Sequence, residues 1–342
     1  MCSPCHTPAQ DAIHAARAMS TAMIQTAEVV ANRPLCREHL RLTLCVPTFG
    51  AARPGQFVHL SPHTGGPTGY RAHDWEAATQ PPGVECGTPR PMLRRAFSIA
   101  AMRRRAEACE IDVIYRVVGA GTNWMATLGR GDRASVLGPL GNTFPIIADK
   151  PLAWLVAGGV GLPPMLWLAE ALSAAGKDVV AFYGAQTRSL VALELTDTPP
   201  SPDARRAADS SIEFAASDTR VVLATDDGSL GFRGHIGQAL AAYHAANPTP
   251  PVDVVVYTCG PDRMMHFVAD HCAAHSIRCY ACLEQAMACG TGACQSCVVP
   301  VRDASDPAGW RYALCCTDGP VFDAALVEWD FNGDPNYRSR VS

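Results

Sequence analysis

Residues 151–176, PLAWLVAGGVGLPPMLWLAEALSAAG, contain the pattern that decides the fold class. The apolar run at its start is typical of a strand that is buried on both faces. The glycine-rich turn that follows leads into an amphipathic pattern that ends at a glycine, which predicts a helix. The uncharged part approaches the length of a membrane span, but the glycines and the Pro-Pro pair in its middle favour strand, turn and helix.

The same alternation continues beyond this stretch. KDVVAFYGA, residues 177–185, reads as the next strand, and PVDVVVYTCGPDRMMHFVADHCAAHS, residues 251–276, as another strand and helix. The proline-rich segment 196–211 is interpreted as a loop within the same unit. Alternating strands and helices are typical of a doubly wound α/β domain with a parallel sheet. We assign this domain to residues 149–278.

The segment that precedes this domain has a different sequence pattern. QTAEVVANRPLCREHLRLTLCVPT, residues 25–48, alternates apolar and polar residues, and shorter strand patterns follow at residues 53–60, 110–119 and 132–141. Short strands separated by turn signals predict an antiparallel β-barrel over residues 25–148. Between residues 61 and 91, 11 of 31 residues are Gly or Pro, which predicts a long surface loop. Residues 1–24 form an extension of unknown role.

Composition narrows the class of protein. The 342 residues have room for two or three domains. A net charge of −4 argues against a broad nucleic-acid surface, although five arginines cluster at residues 94–95 and 103–105. The N-terminus lacks the basic and continuous apolar regions of a secretory signal, so we expect a cytoplasmic protein. No membrane span is expected.

Cysteine is concentrated near the C-terminus. Of the 15 cysteines, nine lie between residue 259 and the end, and three of them form the C-x4-C-x2-C run Cys289, Cys294 and Cys297. This spacing, with one more distant Cys, is the plant-type arrangement for a [2Fe–2S] cluster. A zinc site is the alternative, but zinc ligands usually occur as two matched pairs. We therefore predict a cluster module over residues 279–342.

The remaining ligand and the small residues of the loop fit the same prediction. The fourth ligand must be Cys315 or Cys316, because no other cysteine follows Cys297; the position of Cys316 directly before TDGPVF favours it. Gly290 and Gly292 are expected to have positive φ and to let the backbone N–H groups approach the cluster sulfides.

The stretch RRAFSIA, residues 94–100, suits a flavin on a barrel strand. Arg95 would pair with the pyrophosphate, Phe97 would lie against the cofactor, and Ser98 would place a hydroxyl near the reactive ring nitrogen. An ordinary edge strand is the alternative. VVGAGTNW, residues 117–124, adds weight to the flavin, because a helix start there would receive a phosphate; its residues are Gly119, Gly121 and Thr122.

Two further motifs indicate a nucleotide site on the α/β domain. The turn VAGGVGLPPM contains Gly158, Gly159 and Gly161 between a strand and a helix, and its alternative is a turn without a ligand. TDDGSLGFRG and YTCGPDRMM both follow parallel strands at the edge where such sheets bind ligands. Their candidate residues are Asp227, Cys259, Gly260 and Pro261; Cys259 has core packing as its alternative.

In this order, the motifs resemble those of the ferredoxin-reductase-type flavoproteins and, more narrowly, the electron-transfer subunits of class 1B dihydroorotate dehydrogenases. The resemblance covers about residues 25–322, and LEQAMACGTGACQSCVVP and CTDGPVF are its most specific parts. It implies FAD on the barrel, NAD(H) on the α/β domain and a [2Fe–2S] cluster on the C-terminal module. It also implies docking on an FMN-containing dihydroorotate dehydrogenase catalytic subunit, as a heterotetramer, in de novo pyrimidine synthesis.

The resemblance assigns individual residues and has departures. FAD contacts fall on Arg95, Phe97, Ser98, Gly119, Gly121 and Thr122, and cluster ligands on Cys289, Cys294, Cys297 and Cys316. The chain has Ala96 where the family usually has proline, a longer loop at residues 61–91, and 24 leading residues without a counterpart. No acid–base catalytic residue is implied.

Other functions remain open on sequence alone. Related subunits serve NAD(P)-linked transhydrogenases, sulfide dehydrogenases and hydrogenases. Arg188 either approaches a 2′-phosphate, which would favour NADP, or is a solvated loop residue. A zinc-bearing interaction module on a degenerate nucleotide fold is the alternative that is not an enzyme.

Overall fold

The computed structural model describes residues 22–62, 93–106 and 108–330. The predicted N-terminal extension and the predicted long loop therefore lie almost wholly outside the described residues. Among the helices in the described ranges, none has the length and apolar character that crossing a bilayer requires.

Six antiparallel strands form a closed barrel, as predicted. They are β1 (Met23–Pro34), β2 (His39–Val46), β3 (Phe57–Pro62), β4 (Arg95–Arg104), β5 (Cys109–Arg116) and β6 (Arg133–Leu140), in the order β1-β2-β5-β4-β3-β6. A short helix, α1 (Ala120–Ala126), connects β5 to β6. The strands alternate because one face fills the barrel: Ala27 and Val29 are fully buried, whereas Glu28 between them is exposed.

The α/β domain also forms as predicted. Its elements are β7 (Leu152–Gly158), α2 (Leu162–Ala174), β8 (Asp178–Ala185), α3 (Ile212–Ala215), β9 (Arg220–Thr225), β10 (Phe232–Arg233), α4 (Ile236–Ala246), β11 (Val254–Cys259), α5 (Asp262–Ala274) and β12 (Arg278–Cys282). These strands pair in parallel in the order β10-β9-β8-β7-β11-β12. Every residue of β11 is buried, which explains its mainly apolar sequence.

The C-terminal module is joined to this sheet. Strand β12 extends the parallel sheet beyond the predicted boundary at residue 278, and β15 (Val321–Asp323) adds an antiparallel edge. Between them lie the cysteine loop, residues 283–297, and a hairpin of β13 (Val298–Arg302) and β14 (Trp310–Leu314). Val299, Val301 and Ala313 of the hairpin belong to the same buried cluster as the residues of β12 and α5.

The three modules meet around Asn142, which follows β6. The Asn142 side-chain amide donates to the carbonyl oxygens of Asp318 and Val321, both at 2.8 Å, and its oxygen accepts from the Val321 N–H at 2.9 Å. Trp167 of α2 is buried in the core of the barrel. The barrel, sheet and cysteine module are therefore held together by shared contacts.

Candidate cofactor sites

A cleft of about 800 Å³ lies between the barrel and the carboxyl edge of the parallel sheet. Its barrel side consists of residues from β4, the end of β5 and the start of α1. Its other side consists of residues at the ends of β7, β8, β11 and β12. The strand order reverses between β7 and β11, so the cleft opens at the topological switch point, where open α/β sheets bind ligands.

The three residues predicted on β4 all line this cleft. Arg95 is exposed, and its guanidinium approaches the carbonyl oxygens of Leu93 and Arg94 at 3.4 Å. The Phe97 ring meets Tyr115 edge to face, with centroids 6.2 Å apart. An exposed cation beside an aromatic wall and the Ser98 hydroxyl is a donor set that fits a flavin and its phosphates.

The residues of the predicted helix start form part of the cleft wall. The Thr122 hydroxyl accepts hydrogen bonds from the backbone N–H groups of Val118 and Gly119, at 2.9 and 3.1 Å, and so holds the turn. A Cβ on Gly121 would lie 3.2 Å from Cγ of Arg95, so this glycine lets the arginine cross the helix. Gly119 has open space where a side chain would be.

The glycine-rich turn after β7 has two distinct roles. A Cβ on Gly161 would lie 2.0 Å from the carbonyl oxygen of Cys259, so only glycine allows the turn to pack on the end of β11. Gly159 has a φ of +52° and presents bare backbone to the cleft. Pro163 occupies the first turn of α2, where its missing N–H leaves no hydrogen bond unmade.

Some of the remaining predicted nucleotide contacts line the cleft and others do not. Cys259 and Pro261 line the cleft, whereas Gly161, Asp227 and Gly260 do not. The Asp227 carboxylate instead accepts from the Ser229 N–H and hydroxyl at 3.0 and 2.6 Å, and these bonds lower the pKa of Asp227. Its neighbour Asp226 lines the cleft.

The cysteine loop folds as a sulfur-binding turn. The Cys289 thiol accepts from the backbone N–H groups of Thr291 and Cys294, both at 3.4 Å, which lowers the pKa of Cys289 to about 6. Gly290 and Gly292 have φ values of +74° and +83°, as expected. Backbone N–H groups that converge on a thiolate are the environment that an iron–sulfur cluster needs.

Cys315 and Cys316, directly after β14, make different contacts. The Cys316 N–H donates to the Cys297 thiol at 3.4 Å, and the Cys316 thiol lies beside Cys297. Burial raises the pKa of Cys316 to about 12, so a bound cation is needed to hold it as a thiolate. The Cys315 thiol is fully buried and contacts the carbonyl oxygen of Leu283 at 3.4 Å. Cys316 therefore completes a group of sulfurs with the loop.

The cysteine loop touches the barrel directly. A Cβ on Gly290 would lie 2.9 Å from Cε1 and Nε2 of His59, a fully buried residue of β3. His59 pairs in register with Ala96 of β4, which lies between Arg95 and Phe97. Because paired strands lie about 4.8 Å apart, the loop is adjacent to the strand that carries the predicted flavin contacts.

Sequence reasoning missed several residues of the cleft. Residues 282–287, at the end of β12 and the start of the cysteine loop, line the cleft, as do Tyr115 and Arg116 at the end of β5. Gly184, Ala185 and Gln186 were also missed. They lie at the carboxyl end of the predicted strand 177–185 and were detectable from the rule that ligands bind at carboxyl ends. Arg188 does not line the cleft; its backbone N–H donates to Ser229 at 2.8 Å.

Two of the five arginines in the basic cluster of the barrel form ion pairs. Arg103 pairs with Asp112 at 2.8 Å and with Glu110 at 3.4 Å, and Arg105 pairs with Glu110 at 2.9 Å. These pairs join β4 to β5 on the barrel surface and give the run a structural role.

Comparison with protein families matches two domains. Residues 284–328 match the iron–sulfur cluster binding domain of dihydroorotate dehydrogenase B, a range that contains all four predicted ligands. Residues 155–270 match the oxidoreductase NAD-binding domain. The predictions of an iron–sulfur cluster, of NAD binding and of an oxidoreductase are confirmed by these matches.

Solved structures share the fold. An NADH-dependent reduced ferredoxin-NADP oxidoreductase aligns with a TM-score of 0.66 at 23% identity, covering 92% of this chain and 98% of that one. The ferredoxin reductase of carbazole 1,9a-dioxygenase aligns with a TM-score of 0.53 at 21% identity, covering 75% and 67% of the two chains. The ferredoxin-reductase-like fold predicted from the sequence is confirmed.

Curated relatives extend over most of the chain. Proteins named dihydroorotate dehydrogenase B (NAD(+)), electron transfer subunit, from Enterococcus faecalis and Bacillus caldolyticus are 32% and 38% identical to it, each covering 80% of this chain and 86% of the relative. The Streptococcus pneumoniae protein of the same name is 31% identical over 89% of this chain and 98% of its own length. The chain therefore belongs to the family of electron transfer subunits of dihydroorotate dehydrogenase B.

Proposed function

We propose that this chain carries electrons between dihydroorotate oxidation on a separate FMN-containing catalytic subunit and NAD⁺, through a [2Fe–2S] cluster and FAD. The observation that carries the proposal is the contact of Gly290 with His59. It places the cysteine loop against the barrel strand that neighbours the cleft. The relatives' names supply the substrate and the NAD specificity.

The residues assigned to each group follow from the cleft. Arg95 and the turn at Gly119 would hold the FAD phosphates, with Phe97 and Ser98 beside the ring system. Gly159 and Pro261, at the switch point, would hold NAD(H). The proposed cluster ligands are Cys289, Cys294, Cys297 and Cys316. Four thiols, backbone donors to sulfur and two glycines with positive φ support this assignment.

The protein's contribution is orientation and exclusion of water. Bound FAD supplies the chemistry that links hydride transfer with nicotinamide to single-electron transfer with the cluster. Phe97 and Tyr115 fix one wall of the cleft through their ring contact, and Pro320 and Met287 close it towards the cysteine loop. No proton donor or acceptor from the chain is assigned, and the N–H groups at Cys289 would adjust the cluster potential.

The catalytic subunit would dock at the exposed face of the cysteine loop. Cys294, Gln295 and Ser296 are exposed there, whereas Cys297 is buried beneath them. A cluster with one ligand at the surface is suited to electron exchange with a partner. We propose a heterotetramer with the FMN-containing catalytic subunit, in the cytoplasm and in de novo pyrimidine synthesis.

Anaerobic co-purification with candidate partners tests this function. We expect a complex with a dihydroorotate dehydrogenase catalytic subunit that reduces NAD⁺ when dihydroorotate is added. In the matched variant Cys294→Ser, cluster absorption and dihydroorotate-dependent NAD⁺ reduction should be lost, while NADH still bleaches the flavin. Activity that appears only with a transhydrogenase, sulfide dehydrogenase or hydrogenase partner would contradict the proposal.

A further inference from the structure

Three histidines converge on the side of the α/β domain that faces away from the cofactor cleft. His244 lies in the last turn of α4, His271 in the last turn of α5, and His275 is the C-cap residue of α5. Helices that connect parallel strands run opposite to them, so the C-terminal ends of these helices lie at the amino edge of the sheet. The cleft lies at the carboxyl edge. The cluster is therefore separate from the electron-transfer site.

The geometry of the three rings is that of a metal site. One ring nitrogen from each histidine lies within 4.8 Å of the other two. Nδ1 of His244 is 3.1 Å from Nε2 of His271. Tetrahedral zinc with nitrogen ligands at about 2.0–2.1 Å requires nitrogens about 3.3 Å apart. His271 and His275 also have the H-x3-H spacing of zinc ligands, which puts both on one side of a helix end.

A backbone contact orients one of the rings. Nδ1 of His275 lies 2.8 Å from the carbonyl oxygen of His271. A carbonyl oxygen only accepts, so Nδ1 carries the proton and Nε2 keeps a lone pair. A ring N–H that donates to a backbone carbonyl is the usual outer contact of a metal-bound histidine.

The surroundings of the cluster favour a cation. Trp154 covers one side of His244, with ring centroids 5.2 Å apart. Both helices end here, and a helix C-terminus carries partial negative charge. This partial charge favours a cation bound by the three rings.

Carboxylates do not neutralise the cluster in the described part of the chain. The ion pairs found there that involve histidine join His266 to Asp270 and Asp330, at 3.4 and 3.8 Å, and none includes the three clustered rings. The rings of His244, His271 and His275 lie edge to face or tilted against one another, with centroids 4.4–5.3 Å apart, and charge pairing does not explain this close approach.

We propose that His244, His271 and His275 bind one divalent cation of the zinc type, which clamps the C-terminal ends of α4 and α5. Imidazole ligands suit Zn²⁺ and similar transition metals. With three protein ligands and an exposed His275, the fourth position is left to water. Helix α4 packs on β7, β8 and β9, and α5 packs on β11 and β12. The metal would therefore tie together the two halves of the sheet across the switch point.

Zinc titration of the holoprotein tests the site. The chain, loaded with FAD and cluster and freed of loose metal, is titrated with Zn²⁺ in a calorimeter under anaerobic conditions. We expect one zinc per chain. Because loss of an outer partner alone typically lowers metal affinity by about 10–100-fold, His271→Asn and His275→Asn should each weaken binding by about 100-fold or more. The matched control is His266→Gln, on the same helix but outside the cluster, and it should bind as tightly as wild type.

A ligand-sensitive measurement separates this site from the cysteines. X-ray absorption at the zinc edge should show only nitrogen and oxygen neighbours for the first equivalent. Sulfur neighbours, or unchanged affinity in both histidine variants, would overturn the proposal. If His271→Asn does not fold, the exposed His275→Asn decides the question with the same two measurements.

Discussion

At the residue scale, the two adjacent cysteines Cys315 and Cys316 offer a matched pair. Cys316 lies with Cys297 and the cysteine loop, whereas Cys315 points towards the Leu283 carbonyl. We expect Cys316→Ser to lose the visible absorption, iron and acid-labile sulfide of the cluster. Cys315→Ser keeps a donor for the Leu283 carbonyl, so it should retain the cluster at a stability cost of about 1 kcal/mol. The reverse pattern would reassign the fourth ligand to Cys315.

His59 gives a prediction about pH. It is fully buried, its ring nitrogens have no hydrogen-bond partner among the described residues, and burial lowers the pKa of His59 from 6.5 to about 4. Between these pH values the unfolded chain binds a proton that the folded chain does not. The free energy of unfolding should therefore fall as the pH drops through this window, by at most about 1.4 kcal/mol per pH unit.

His59→Phe should remove this dependence. The adjacent Phe57 ring is apolar, and replacing an unpartnered buried polar group by an apolar one of similar shape should change stability at pH 7.5 by less than about 1 kcal/mol. Urea unfolding of both proteins at several pH values measures the effect. Equal slopes for wild type and variant would mean that the His59 ring nitrogens have partners in the folded protein.

At the element scale, the strands that the sequence predicts most clearly are those that are most buried. Strands β7, β8 and β11 were predicted because both of their faces are largely buried and their sequences are mainly apolar. Strand β12 was missed because five residues, RCYAC, resemble the start of a metal-binding tail. The three residues of β15 carry no periodic pattern at all. This strand forms because it pairs with β12, and the local sequence does not predict such long-range pairing.

Asn142 is the residue through which these late elements are tied to the barrel. Asn142→Ala removes two donated hydrogen bonds and one accepted bond, and leaves the carbonyl oxygens of Asp318 and Val321 without this partner. We expect a loss of about 1–3 kcal/mol in the free energy of unfolding, together with faster release of iron to a chelator. Thermal unfolding and the rate of chelation measure the two effects.

A second asparagine serves as the control. Asn247 also donates two hydrogen bonds, to the carbonyl oxygens of Arg205 and Tyr243, but lies at the end of α4. Asn247→Ala should lower stability without changing the rate of iron release. Equal rates in both variants would show that Asn142 does not hold the cysteine module in place.

At the scale of the whole molecule, the sequence predicts each motif separately, but it does not predict how the motifs are brought together in space. The C-x4-C-x2-C spacing predicts a cluster and the Gly-Gly-x-Gly turn predicts a nucleotide site, because few residue patterns fit a cluster or a tight nucleotide turn. Asp227 was chosen over Asp226 because sequence does not show which of two adjacent carboxylates turns back onto its own loop. Residues 282–287 were missed because their role depends on the docking of the cysteine loop against the barrel.

The docking of the cysteine loop against β3 leads to a further prediction. Gly290 has a φ of +74°, and a Cβ there would lie 2.9 Å from the His59 ring. Gly290→Ala should force the loop away from β3, so that NADH bleaches the flavin at the wild-type rate while reduction of the cluster slows in stopped-flow spectra. The control is Gly176→Ala, with a φ of +72° and open space around it. Both variants bear a backbone strain of about 1–2 kcal/mol, so slow cluster reduction in both would assign the effect to stability. Unchanged cluster reduction in Gly290→Ala would mean that electrons reach the cluster without this contact.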